Sequence, residues 1–210
     1  MIFQRKETFR DYVRLYPVTT AILAINLIVF LIDYVFLDQR WTYEGMFYQE
    51  PVFDRYGFME PWRYVTSIAL HAGWEHLLFN CFSILVFAPP LERALGHFRY
   101  FSYYVMAGIG GNFLSAFVYA GSEHASVGAS GAIYGLFGAY LYVALFRRSV
   151  LDEATLKTIY ITLGFGLIYS LLMPRVNIWA HIGGAITGFA LMALFITLRS
   201  GAHRRKQGKM

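Results

Sequence analysis

The chain has 210 residues, 57% of them apolar and only 15% charged, with a net charge of +5. Soluble domains carry about 25% charged residues, so a soluble globule is excluded and an all-α, polytopic membrane protein is expected. Its apolar runs approach the ~20 residues that cross ~30 Å of hydrocarbon, and they leave no room for a separate soluble domain.

In chain order, residues 1–16 form a charged segment, residues 17–198 a membrane domain and residues 199–210 a basic tail. In the first segment Phe9, Tyr12, Val13 and Tyr16 recur at helical spacing opposite charges. That pattern fits either a helix lying on the membrane surface or a frayed tail. The segment carries both charge signs and the apolar run after it is too long for a signal h-region, so no cleavable leader is expected. Six spans follow, roughly Pro17–Leu37, Glu75–Leu91, Arg99–Ala120, Ser130–Phe146, Thr158–Met173 and Ile178–Leu198. The second and fifth are short, so their ends are soft. Asp33, near the end of the first span, can snorkel to water and is assigned no role. The stretch from about Asp38 to Gly73 is long and rich in aromatics, among them Trp41, Phe47, Tyr56, Trp62 and Tyr64. Loops of that length are uncommon and often functional; this one is expected to fold partly into the interface, with a plain aromatic belt as the alternative. The single Cys81 excludes an internal disulfide.

With six spans both termini share a face, and the positive charges sort by loop. Arg5, Lys6, Arg10, Arg14, Arg93, Arg99, Arg147, Arg148, Lys157, Arg199, Arg204, Arg205, Lys206 and Lys209 fall on one side, and Arg40, Arg55, Arg63 and Arg175 on the other. The positive-inside rule makes the richer face, with both termini, cytoplasmic. Attraction to anionic lipid accounts for the net charge, and no nucleic-acid partner is needed. Glu92 beside Arg93 reads as a local ion pair.

Parity then places the starts of spans two, four and six on the external face. Span two opens with His76 and Asn80, span four with Ser130 and Tyr134, span six with His181, each within about two turns of its helix start, roughly 10 Å at 1.5 Å per residue. Polar groups in spanning helices are costly and usually face the bundle interior. Gly131 and Gly135 in span four, and Gly184 and Gly188 in span six, repeat at the four-residue interval that lets helices approach closely. Those two helices are expected to touch, bringing Ser130 within reach of His181.

The chemistry expected of that pair is nucleophilic. Serine needs a base to take its proton, and His181 would do so as Ser130 attacks a peptide carbonyl, then protonate the leaving amine. The Ser130 backbone N–H, at a helix N-terminus, with His76 and Asn80, would stabilise the oxyanion. No carboxylate is near enough in sequence to orient His181. Tyr134, one turn below Ser130, is expected to pack on the imidazole instead, so the assignment is a dyad.

These motifs resemble the rhomboid family of intramembrane serine proteases. They are Trp62-Arg63; His71, His76 and Asn80 in HAGWEHLLFN; Glu92, Arg93 and Gly96; Gly128, Ser130, Gly131 and Tyr134; and Ala180, His181, Gly184 and Gly188. All stand in family order at the expected helix ends. The resemblance implies a rhomboid-like bundle of six transmembrane helices that cuts single-pass membrane proteins in or near their spanning segment, without a cofactor or metal. It also implies that the fifth helix and the loop before His181 gate lateral access. Membrane lipids and single-pass substrates are the implied partners, and a bacterial plasma membrane the implied location. His71 is read as structural, bonding loop backbone; His97 and His124 are read as unremarkable.

Rival readings fail on residues. A zinc protease needs His-Glu-x-x-His, whereas Glu75-His76 is in the wrong order. An aspartyl protease needs two facing aspartates, and Asp33 stands alone. A transporter predicts ionisable residues through the midplane and inverted repeats, and neither is found. A catalytically dead client-binding relative is the remaining rival, although this chain keeps both nucleophile and base.

Overall fold

Backbone polar groups inside hydrocarbon must be satisfied within their own segment, and the chain meets that demand with helices. The computed structural model describes the backbone of residues 2–4, 6–174 and 176–207, and side chains up to Leu198. Arg5, Arg175 and the basic side chains of the tail, part of the charge pattern above, lie outside the described residues.

The elements are α1 (Phe9–Leu15), α2 (Pro17–Phe36), α3 (Arg40–Gly45), β1 (Phe47–Gln49), α4 (Arg63–Thr66), α5 (Trp74–Leu95), α6 (His97–Val118), β2 (His124–Ser126), α7 (Ser130–Phe146), α8 (Glu153–Leu172) and α9 (Ile178–Gln207). Among the described residues five helices are long and apolar enough to cross a membrane, and the shorter apolar α7 lies between them in the chain. The protein is a multi-pass helical membrane protein.

The second, fifth and sixth spans begin or end well beyond their expected limits, the helix of the sixth running on to Gln207. The second runs on to Leu95 through Pro89 and Pro90. Pro89 removes the N–H that would pair with the Leu85 carbonyl, and the Tyr12 hydroxyl donates to that oxygen instead, at 3.3 Å. The fifth starts at Glu153 rather than Thr158, because Asp152 caps it: its carboxylate accepts from Thr155 N at 2.9 Å and Thr155 Oγ1 at 2.6 Å. Those hydrogen bonds also hold the Asp152 pKa down, at about 2.

Two acidic residues serve helix starts rather than water. Glu92 is fully buried and accepts from Val18 N (3.0 Å), Thr19 N (2.8 Å) and Thr19 Oγ1 (2.6 Å). His97 Nδ1 lies 2.7 Å from it. The reading of Glu92 as an ion pair with Arg93 is therefore corrected: the unpaired amides and positive end of α2 claim this carboxylate. Asp33, 3% exposed, does the same for α3, accepting from Trp41 N, Thr42 N and Thr42 Oγ1 at 2.7–2.9 Å. It does not snorkel.

The long aromatic loop is a folded unit. Arg63 Nη1 donates to the Tyr43 and Met46 carbonyls at 3.0 Å each, and its Nε pairs with Glu60 at 2.6 Å. β1 pairs antiparallel with β2, Phe47 opposite Ser126 and Gln49 opposite His124. This ribbon ties the loop to the segment leading into α7. Three-residue strands are too short for an alternation that a sequence could reveal.

The centre of the bundle is α6, α7 and α9, packed through small residues. A Cβ on Gly184 would strike the Gly131 carbonyl, one on Gly188 the Gly135 carbonyl, and one on Gly138 the Ala185 carbonyl. α2 lays Thr19, Ile22, Asn26, Phe30 and Asp33 inward along one stripe. α8 stands at the edge: only Thr155, Leu156, Ile159 and Ser170 are buried, while Ile161, Phe165, Leu167, Ile168, Leu171 and Leu172 are exposed.

Candidate active site

Ser130 is the first residue of α7, so its amide belongs to the unpaired N-terminal set. The approach to it is constrained. Gly128 has φ +128°, and a Cβ there would press on the His76 ring, 2.5–2.6 Å away. No other residue combines that backbone with that contact at low cost. Gly128 N donates to the Ser67 carbonyl at 2.9 Å, and Ser67 Oγ in turn accepts from Asn112 Nδ2 at 2.9 Å. The serine therefore hangs from a loop pinned to α6 and to the long aromatic loop.

Asn80 lies one turn beyond His76 on α5, beside Gly128, and is 6% exposed. Its Nδ2 has no hydrogen-bond partner. A buried donor left unpaired costs roughly 1–3 kcal/mol. His71, edge-on to His76 at 5.2 Å, is 2% exposed, and neither ring nitrogen has a hydrogen-bond partner of normal geometry. The loop backbone at Ala69 acts on the ring as a weak hydrogen-bond partner. Burial lowers its pKa to about 3.

His181 sits in the first turn of α9, 5% exposed. Its ring stacks on Tyr134, centroids 3.9 Å apart and planes 9° from parallel. Its Nδ1 is 2.7 Å from Ser170 Oγ on α8. Nε2 makes no hydrogen bond, and neither does the Ser130 hydroxyl, among the described residues. The starts of α7 and α9 pack through their backbones: a Cβ on Gly131 would lie 3.5 Å from the Ala180 carbonyl, and Gly184 packs on Gly131 one turn further down.

Sequence reasoning missed two groups here. One is Ser170; a hydroxyl near the end of an otherwise apolar helix was its only signal. The other is Asn177, immediately before α9, whose Oδ1 accepts from Ala180 N at 3.1 Å as an N-cap. Its Nδ2 reaches Ser115 Oγ (2.7 Å), Ser126 Oγ (3.0 Å) and His124 Nε2 (3.1 Å). His124 stacks on Tyr119 at 3.9 Å, and burial lowers its pKa to about 4. It is a member of this cluster, not an unremarkable turn residue. A cavity of about 630 Å³ lined by Tyr16, Leu91, Tyr140 and Met192 holds none of the site groups.

An apolar helical bundle with a serine at one helix start and an imidazole at another belongs to the class of multi-pass helical membrane proteins. The comparisons are more specific. The rhomboid domain family matches residues 59–198. The chain is 40% identical over 199 residues to the putative rhomboid protease YdcA of Bacillus subtilis, covering 93% of this chain and 96% of that one. It is 38% identical over 151 residues to rhomboid protease GluP of the same organism, and 41% identical over 138 residues to RHOMBOID-like protein 6, mitochondrial, of Arabidopsis thaliana. Those alignments take in 70% and 63% of this chain but only 28% and 43% of the relatives. The chain belongs to the rhomboid family.

Proposed function

We propose that this protein hydrolyses peptide bonds in or near the transmembrane segments of single-pass membrane proteins, with Ser130 and His181 as a catalytic dyad. Its class, a rhomboid-type serine endopeptidase, accords with its family and with relatives named as rhomboid proteases. The observation that carries the finer reading is the state of His181: Nδ1 engaged by Ser170, ring stacked on Tyr134 one turn below Ser130, and Nε2 without a hydrogen bond among the described residues.

In this reading Nε2 takes the Ser130 Oγ proton as the oxygen adds to the scissile carbonyl. The resulting oxyanion is met by the Ser130 amide, by Asn80 Nδ2 and by His76. The imidazolium gives its proton to the leaving amine as the C–N bond breaks. Water, deprotonated by the same Nε2, then releases the acyl group and restores Ser130. Gly131 and, through close helix packing, Gly135, Gly184 and Gly188 hold α7 and α9 at the spacing this requires. We place the site toward the extracytoplasmic face and both termini in the cytoplasm on the charge distribution along the loops, and the 40% identity to a Bacillus subtilis relative favours a bacterial cell.

A liposome assay with a model transmembrane substrate tests this, together with labelling by a fluorophosphonate. Cleavage and labelling are expected in the wild type and absent in Ser130→Ala and His181→Ala. Labelling that survives Ser130→Ala removes the nucleophile. Cellular function unchanged by that substitution would favour a client-binding role.

A further inference from the structure

The second nitrogen of the candidate base is held by a side chain with no part in the chemistry above. Ser170 lies on α8, 5% exposed, and its Oγ sits between His181 Nδ1 at 2.7 Å, Tyr134 Oη at 2.7 Å and the Gly166 carbonyl at 2.8 Å. Tyr134 Oη itself lies 2.6 Å from the Gly166 carbonyl. Gly166 is glycine for a reason that concerns this cluster, since a Cβ there would sit 2.9 Å from Tyr134 Oη.

Counting protons separates the two tautomers of His181. The two hydroxyls hold one proton each, and the carbonyl holds none. If Nδ1 carries the imidazole proton, it donates to Ser170 Oγ, Ser170 donates to the Gly166 carbonyl or to Tyr134 Oη, and Tyr134 donates to the Gly166 carbonyl. Three hydrogen bonds form and no proton is stranded. If the proton is on Nε2 instead, Ser170 must donate to Nδ1. Tyr134 can then fill only one more bond, and the buried cluster loses a hydrogen bond. One bond of that kind shifts an equilibrium by roughly fivefold to tenfold.

We infer that Ser170 is a positioning residue that fixes His181 as the Nδ1–H tautomer and so keeps Nε2 free to accept the serine proton. The inference rests on the dyad reading. It makes the working unit a serine and an imidazole ordered by a pair of hydroxyls, Ser170 and Tyr134, anchored on the Gly166 carbonyl of α8, in the place where a carboxylate would otherwise orient the base. The cluster also joins three helices, because Ser170 and Gly166 belong to α8, Tyr134 to α7 and His181 to α9.

The test compares wild type, Ser170→Ala, Ser170→Cys and Ser170→Thr in detergent, with two readouts. The first is cleavage of a model transmembrane substrate. Ser170→Ala and the near-isosteric Ser170→Cys are expected to lower kcat about tenfold to a hundredfold with KM unchanged, and Ser170→Thr, which keeps the hydroxyl, to stay within about twofold of wild type. The second is the ring-nitrogen chemical shifts of His181, assigned by difference with His181→Asn. Wild type and Ser170→Thr should show a protonated Nδ1 and a bare Nε2, and Ser170→Ala and Ser170→Cys a mixture of tautomers. If Ser170→Ala does not fold, Ser170→Cys carries both readouts alone. A kcat equal to wild type without the hydroxyl, or an unchanged tautomer, overturns the inference. The shifts need no turnover, so a wild type that cleaves nothing would sink the dyad while leaving the tautomer result to judge Ser170.

Discussion

Asn80 carries a buried group that the proposed mechanism puts to use. Its Nδ2 is buried without a partner, so Asn80→Ala removes an unsatisfied donor and is expected to leave the melting temperature unchanged or raised. The same substitution should lower kcat by roughly a hundredfold, the usual loss when one oxyanion donor goes. Thermal unfolding and turnover measured on one preparation separate the two effects; a large loss of stability with little loss of rate would assign Asn80 to packing. Gly128 shows the opposite economy, a residue without a side chain whose space His76 fills. His76, Asn80 and Gly128 were all legible in the sequence, because a polar group in an apolar helix and a glycine before a serine are rare enough to stand out. Ser170 was not. One serine near the end of a span looks like any small interfacial residue until the neighbouring helix puts an imidazole beside it.

At the level of elements, helix starts explain the buried acids. Glu92 satisfies α2 across 73 residues of chain, so Glu92→Ala should leave the first turn of α2 uncapped and cost about 2–4 kcal/mol. Detergent unfolding checks this. Labelling per folded molecule should be unchanged, since Glu92 lies at the opposite end of α5 from His76 and Asn80. No local pattern announces a cap supplied by another helix, and the adjacent Arg93 drew attention to the wrong partner. α8 differs from its neighbours in having few buried side chains and open space at Gly164, where a Cβ would meet nothing within 4 Å. Its amides are expected to exchange with deuterium faster than those of α7 and α9, because a helix held by few buried apolar side chains opens locally at low cost. Equal protection along all three helices would contradict that ranking. Movement of α8 would carry Ser170 away from His181, so loosening there acts on the imidazole.

Over the whole molecule, pH acts on the loops through His71 and His124. Burial lowers their pKa values to about 3 and about 4, against about 6.5 in an unfolded chain. Below that unfolded value the unfolded chain binds protons that the fold refuses, so stability falls as pH drops from about 6.5, levelling near pH 4 for His124 and lower for His71. The melting temperature should therefore decline between pH 7 and pH 4.5, and His124→Asn should flatten the slope. A melting temperature independent of pH over that range would show that neither ring is held neutral. The six spans, their order and the family were determined by the sequence alone, since hydrocarbon thickness sets helix length and the motifs keep a fixed spacing along the chain. The β1–β2 ribbon, the caps given by Asp33 and Glu92, the Asn177 cluster and the hydroxyl behind His181 were decided only by the tertiary structure. Each depends on atoms brought together from distant segments, and a hydrogen bond between helices leaves no periodicity in either one.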